Sequence, residues 1–184
     1  SYRWLLDQRI APEHIAGAGD SCGAILTFGL LQRARAEKLP LPAAVTIISG
    51  WLDMALTGAS YVTNRDKDVF FSKAGVEWLV ANFLGDGDRR DPYASPLYAD
   101  FTGFPPIFLQ AGADETLVYD SRMLVERARK VGVEVRFDVF PEMLHTFQMM
   151  AGRAPEADDA IGRLAEWVRP KLGLVGQSCQ AVRR

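Results

Sequence analysis

The chain has 184 residues, 48% of them hydrophobic, and a formal net charge of -2 with no block of five or more like charges. That length and apolar content suit one globular domain with a single core, and the charge leaves no footprint for nucleic acid or an anionic membrane surface. No stretch has the apolar length of a signal peptide or membrane span, so the expectation is a cytoplasmic protein without a nucleic-acid partner, acting on a neutral or weakly polar small molecule.

Residues 2–10 read as the end of a helix closed by Ala11-Pro12, because the residue before a proline is pushed out of helical geometry. A short glycine-rich strand is predicted over 14–19, then a helix over 22–38 whose first half is apolar on every side, the pattern of a buried helix. Pro40 and Pro42 end it. Residues 43–49 form a continuous apolar run of strand length, as expected where a strand is covered on both faces. The pattern is irregular over 50–71, and a helix over 72–84 follows with Ser72 as its N-cap.

Residues 85–106 form a long Gly, Asp and Pro-rich loop, of a length that tends to be functional. Its Asp86-Gly87-Asp88 resembles a calcium loop only superficially, since Arg90 stands where an acidic or amide ligand is needed; no metal is expected. A third strand is predicted over 107–111 and a helix over 116–131, with Leu124, Ala128 and Val131 on one face. Over 133–140, Val133, Val135, Phe137 and Val139 alternate with Glu134, Arg136 and Asp138, the pattern of a half-buried edge strand. The last helix, over 155–172, sets Ile161, Leu164, Ala165 and Val168 on one stripe, and 176–184 is a polar tail expected to be disordered. Four strands alternating with helices predict an α/β fold, a mainly parallel sheet flanked by helices with the site at the carboxyl ends of its strands.

Gly19-Asp20-Ser21-Cys22-Gly23 lies where the first predicted strand meets the first long helix. A G-x-S-x-G match arises by chance in about one chain in twenty of this length, so its position decides: a serine on a sharp strand-to-helix turn is the context of a nucleophile elbow. An ordinary N-cap with glycines for a tight turn is the plainer alternative. A serine hydroxyl needs a base, usually a histidine oriented by a carboxylate, and the chain has only two histidines. His14 begins the strand that ends before Ser21, which puts it roughly 20 Å away at about 3.3 Å per residue. His145, just past the last strand, remains as the base.

The acid should follow the strand ending near Ala111, where Asp114 and Glu115 are adjacent. Neighbours in extended chain point to opposite sides, so one faces His145 and the other is expected to cap the next helix; local physics does not choose between them. The N–H of Cys22 is the expected first oxyanion donor. Its thiol is expected as a small buried hydrophobe. Cys22 and Cys179 have neither disulfide-framework nor metal-site spacing and are expected as reduced thiols. Trp51, Leu52, Met54, Phe147, Met149 and Met150 are candidates for an apolar acyl pocket, against the plainer reading as core.

With Ala18-Gly19-Asp20-Ser21-Cys22-Gly23, Asp91-Pro92-Tyr93-Ala94-Ser95-Pro96-Leu97-Tyr98, Gly112-Ala113-Asp114-Glu115 and the His145 segment, the chain resembles the hormone-sensitive-lipase-like branch of the α/β-hydrolases, small bacterial carboxylesterases and lactone hydrolases, from Trp4 to Leu172. The resemblance implies hydrolysis of short-chain esters without a cofactor, and its interval to the histidine favours Glu115 over Asp114 as the acid. The sequence departs from the family at Cys22 and Ala24, where a small residue and a glycine are usual. The family's His-Gly-Gly-Gly type loop, the first half of its sheet and its N-terminal cap helices have no counterpart here.

The chain opens without methionine inside a predicted helix, which raises the expectation of a fragment: a partial α/β-hydrolase domain over 1–175. Loss of one oxyanion donor typically costs about 10²–10³ in kcat, so the chain as it stands is expected to be nearly inactive. The strand ending at Gly19 would present an open edge, for which an upstream segment or a homodimer is the expected partner. The sequence therefore predicts a serine carboxylesterase with Ser21 as nucleophile, His145 as base, Glu115 or Asp114 as acid and Cys22 at the oxyanion. A non-catalytic small-molecule-binding protein on the same fold and an inactive fragment are the alternatives.

Overall fold

The computed structural model describes residues 1–174; the predicted tail over 176–184 and Cys179 lie outside the described residues. Four strands, β1 (Ala16–Asp20), β2 (Ala44–Ile48), β3 (Ile107–Gly112) and β4 (Val135–Phe140), form one sheet in that order. Every neighbouring pair is parallel. Among the described residues six α-helices connect and flank them: α1 (Tyr2–Asp7), α2 (Gly23–Ala36), α3 (Ser60–Thr63), α4 (Lys73–Leu84), α5 (Val118–Lys130) and α6 (Pro155–Lys171). Parallel neighbours need crossover connections, and these send the four strand ends, with the loops that follow them, to one rim of the sheet.

The alternation of side chains along β2 and β3 sorts the layers. Val45, Ile47, Ile107 and Leu109 face α2 and α5, packing on Phe28, Leu31 and Leu124. Phe108 and Gln110 face the other way, where Phe108 meets Trp167 and Gln110 donates to the Ala160 carbonyl of α6 at 2.8 Å. Each large apolar side chain fully buried this way contributes about 1.5–3 kcal/mol, which accounts for β3, buried along its whole length; the first half of α2 is not buried on every side as expected, since Leu26 on its outer face is exposed. Ser72 caps α4 as predicted, its Oγ accepting from Gly75 N–H at 3.1 Å. None of the described helices is long and apolar enough to cross a membrane.

Three packing expectations change. Val131 is exposed, because α5 ends at Lys130 and Gly132 turns the chain away at φ 83°. On α6 the buried residues are Ala157, Ala160 and Leu164; of the predicted stripe Leu164 is buried, Ala165 and Val168 are half-buried, and Ile161 is exposed beside β1. β4 is an edge of the described sheet, yet its polar side is covered too. Arg136 lies over Phe108 and pairs with Asp138, which also meets Arg163 of α6, so the charged residues are half-buried instead of solvated.

Candidate active site

β1 ends at Asp20 and α2 starts at Gly23, so Ser21 and Cys22 form the whole turn. Ser21 adopts φ 50°, the left-handed region that non-glycine residues rarely occupy. Its backbone is held there from both sides. Its N–H donates to the Ile48 carbonyl at 2.9 Å, and its carbonyl accepts from Trp51 N–H at 3.0 Å and Ala24 N–H at 3.1 Å. The flanking glycine is required by space: a Cβ on Gly19 would collide with the Gly23 carbonyl group and sit 2.6 Å from Thr27 Oγ1. Thr27 Oγ1 lies 3.2 Å from Ala18 O of β1 and 2.9 Å from Gly23 O, so its hydroxyl ties the start of the helix to the end of the strand.

Cys22 N–H belongs to the first turn of α2, whose amides have no intrahelical acceptor and carry the positive end of the helix dipole. The thiol is exposed at the mouth of the turn. The expectation of a buried Cys22 is therefore corrected, because an N-cap residue lies outside the face that α2 buries.

The acid and the histidine come from the two loops that follow β3 and β4, and two backbone bonds join those loops: Ala113 N–H to Phe140 O at 2.8 Å and Asp114 N–H to Met143 O at 3.2 Å. His145 Nδ1 lies 3.2 Å from Glu115 Oε2. Glu115 is fully buried and His145 nearly so. Burial pushes the Glu115 carboxyl above the usual range; the His145 hydrogen bond and charge and the Ser49 hydroxyl oppose that shift, and Asp68 adds to it. Phe71 packs edge-on against the imidazole, ring centroids 4.8 Å apart.

Asp114 points elsewhere. It pairs with Lys67 at 2.8 Å at the surface and does not cap the following helix, which begins three residues beyond Glu115 with Leu117 at its N-cap. His14 is held far from the turn, in the 3-10 segment ahead of β1, with Nδ1 3.0 Å from the Leu172 carbonyl.

Sequence reasoning missed the residues that fix the acid loop. Asn64 Nδ2 donates to the carbonyls of Ala113 and Glu115 at 2.8 and 2.9 Å, Asp68 Oδ2 accepts from Thr116 N–H at 2.7 Å, and Ser60 Oγ donates to Thr116 O. All three stand in or just after α3, inside the stretch that looked irregular, about fifty positions from their partners, where no local pattern signals a contact.

The six candidate pocket residues do not line one pocket. Trp51 and Met54, Leu52, and Phe147 are buried in three separate clusters, while Met149 and Met150 are exposed.

A family profile described as alpha/beta hydrolase fold matches residues 1–149. The chain is 38% identical over 173 residues to an acetyl-hydrolase of Streptomyces hygroscopicus, a match covering 94% of this chain and 58% of that protein. It is 35% identical over 167 residues to an esterase of Acinetobacter venetianus, covering 90% and 55%. Among solved structures it is similar to an esterase from the bacterial hormone-sensitive lipase (HSL) family, with 41% identity and a TM-score of 0.91 over 94% of this chain and 58% of that one. The chain thus spans little more than half the length of these relatives.

Proposed function

The chain belongs to the hormone-sensitive-lipase-like branch of the α/β-hydrolase fold family, and on that premise we propose that it is a serine carboxylesterase hydrolysing short-chain carboxylic esters through an acyl-enzyme. The observation that carries the reading is the buried Glu115–His145 pair, 3.2 Å apart, on the same rim as a serine held at φ 50° between strand and helix.

In this mechanism Ser21 Oγ attacks the ester carbonyl as His145 Nε2 takes its proton. Glu115 holds Nδ1 protonated and stabilises the imidazolium that forms. The tetrahedral oxyanion draws on the Cys22 N–H at the positive end of α2. His145 returns the proton to the departing alcohol, then deprotonates the water that releases the acid. A short acyl group is in keeping with the acetyl-hydrolase among the relatives.

The test is hydrolysis of p-nitrophenyl acetate and butyrate by the chain alone and within its full open reading frame, each with and without Ser21→Ala. Turnover that disappears in Ser21→Ala is the expected result. Turnover that survives the substitution would remove Ser21 from the mechanism. Tight ester binding with no turnover in any form would favour a receptor on the same fold.

A further inference from the structure

We propose that Ser49, a residue outside the Ser21–His145–Glu115 set, is a positioning residue of this site: its hydroxyl accepts from the loop that carries His145 and turns its own proton to Glu115 Oε1. The proposal rests on the esterase reading for its catalytic consequence, and for the contact on the Ser49–Thr146 hydrogen bond and the unpartnered, buried Glu115 Oε1.

Ser49 is the first residue after β2, fully buried, and held at φ 47°. Its N–H is committed to Gln110 O at 2.8 Å, so its position relative to β3 is fixed. Its Oγ accepts from Thr146 N–H at 3.0 Å, and Thr146, next to His145, is itself left-handed at φ 51°. Two strained non-glycine residues joined by one hydrogen bond are costly, and such strain collects where function requires a particular direction of a side chain. With both loops fixed, the one free element of Ser49 is its hydroxyl proton. Glu115 supplies the acceptor: Oε2 takes His145 Nδ1, while Oε1 is buried and has no hydrogen-bond partner. The Ser49 hydroxyl already draws this carboxyl toward its ionised form. An unmade bond to a buried charged oxygen is expensive, and the Ser49 proton relieves it.

The charged groups facing Glu115 are His145 from the loop after β4, Asp68 from the segment after α3, and Asp120 from the first turn of α5. Asp68 repels the carboxylate, and Asp120, whose own carboxyl burial holds toward the protonated form, does so only once it ionises. The donor that offsets them therefore sets the pH at which the dyad takes up a proton. Without it the carboxylate attracts a proton more strongly, whether that proton settles on Glu115 or on the imidazole, so the acid limb of activity moves up in pH by either route.

Ser49→Gly and Ser49→Ala test this together, because glycine accepts φ 47° freely and alanine does not, whereas both lack the hydroxyl. In both variants kcat is expected to fall about tenfold to a hundredfold with KM changed less than about twofold. The acid limb should move up by about half a pH unit or more in both. The same upward movement is read without turnover from the NMR titration of the His145 ring, with the other histidine, His14, as internal reference. An acid limb and ring titration within about 0.2 pH units of the parent in both variants would overturn the proposal. A drop in kcat without that movement would do so too, since it reports only the loss of the Thr146 contact. Retained turnover in Ser21→Ala sinks the esterase reading instead, and the ring titration still judges Ser49.

Discussion

Among the described residues seven non-glycine residues have positive φ, and three of them, Ser21, Ser49 and Thr146, belong to the one rim where β1, β2 and the His145 loop meet. On the proposed mechanism the strain at Ser21 is borne for its Oγ. Ser21→Gly and Ser21→Ala both remove that oxygen, but only glycine relaxes the turn, so Ser21→Gly should be the more stable of the two by about 1 kcal/mol in urea unfolding; equal midpoints would mean that the turn stores no strain. The two adjacent acids separate just as sharply. Glu115→Gln keeps the shape but leaves the imidazole in the wrong tautomer, and kcat should fall by about 10⁴. Asp114→Asn loses only a partly exposed ion pair with Lys67, of the kind that contributes about 0.2–1 kcal/mol, and kcat should change less than about threefold. Stopped-flow or steady-state rates on one ester decide it, and comparable losses in both would return the choice of acid to open question.

At the scale of elements, two glycines set how closely the pieces of the site approach. A Cβ on Gly112 would overlap the Met143 carbonyl group, in the loop that delivers His145, and one on Gly19 would overlap the Gly23 carbonyl group at the start of α2. The obstacle in both cases is backbone, so Gly112→Ala and Gly19→Ala should each cost about 1–3 kcal/mol of stability and lower kcat at least tenfold, measured by thermal melts and ester turnover; parent-like turnover in either would show that the loops yield. The glycine of the elbow was legible in the sequence because its motif is local. So were the four strands and the long helices, whose positions follow their apolar runs and their start and stop residues. Gly112, Asn64, Asp68 and Ser49 were not, since each acts on chain far away in sequence and has no periodic partner. The stripe of α6 failed for a related reason. Its apolar residues admit two faces, and only the sheet beneath selects Ala157 and Ala160, whose small side chains let Ala160 O meet Gln110.

Across the molecule, the rim is braced by a second buried carboxylate with no place in the proposed chemistry. Asp120 is fully buried in α5, and its Oδ2 accepts from Leu52 and Asp53 N–H at 3.2 Å each, tying α5 to the chain beyond β2. Oδ1 has no hydrogen-bond partner. Burial first, then the charge of Asp53, raises this carboxyl well above its ordinary range, against the two amide bonds that favour ionisation. Between the ordinary value and the raised one, the folded chain holds a proton that the unfolded chain has released. The stabilisation is therefore complete below about pH 3.8 and is lost as pH rises through the folded value, at about 1.4 kcal/mol for each pH unit that separates the two. Asp120→Asn keeps an oxygen for the two amides and has no charge to bury. Its stability relative to the parent should climb as pH rises from about 4 to about 7, as read by urea unfolding at several pH values. A difference that stays constant over that range would mean that Asp120 is ionised in the folded chain throughout, and that the brace at this rim is an ion held by its amides and not a buried neutral acid.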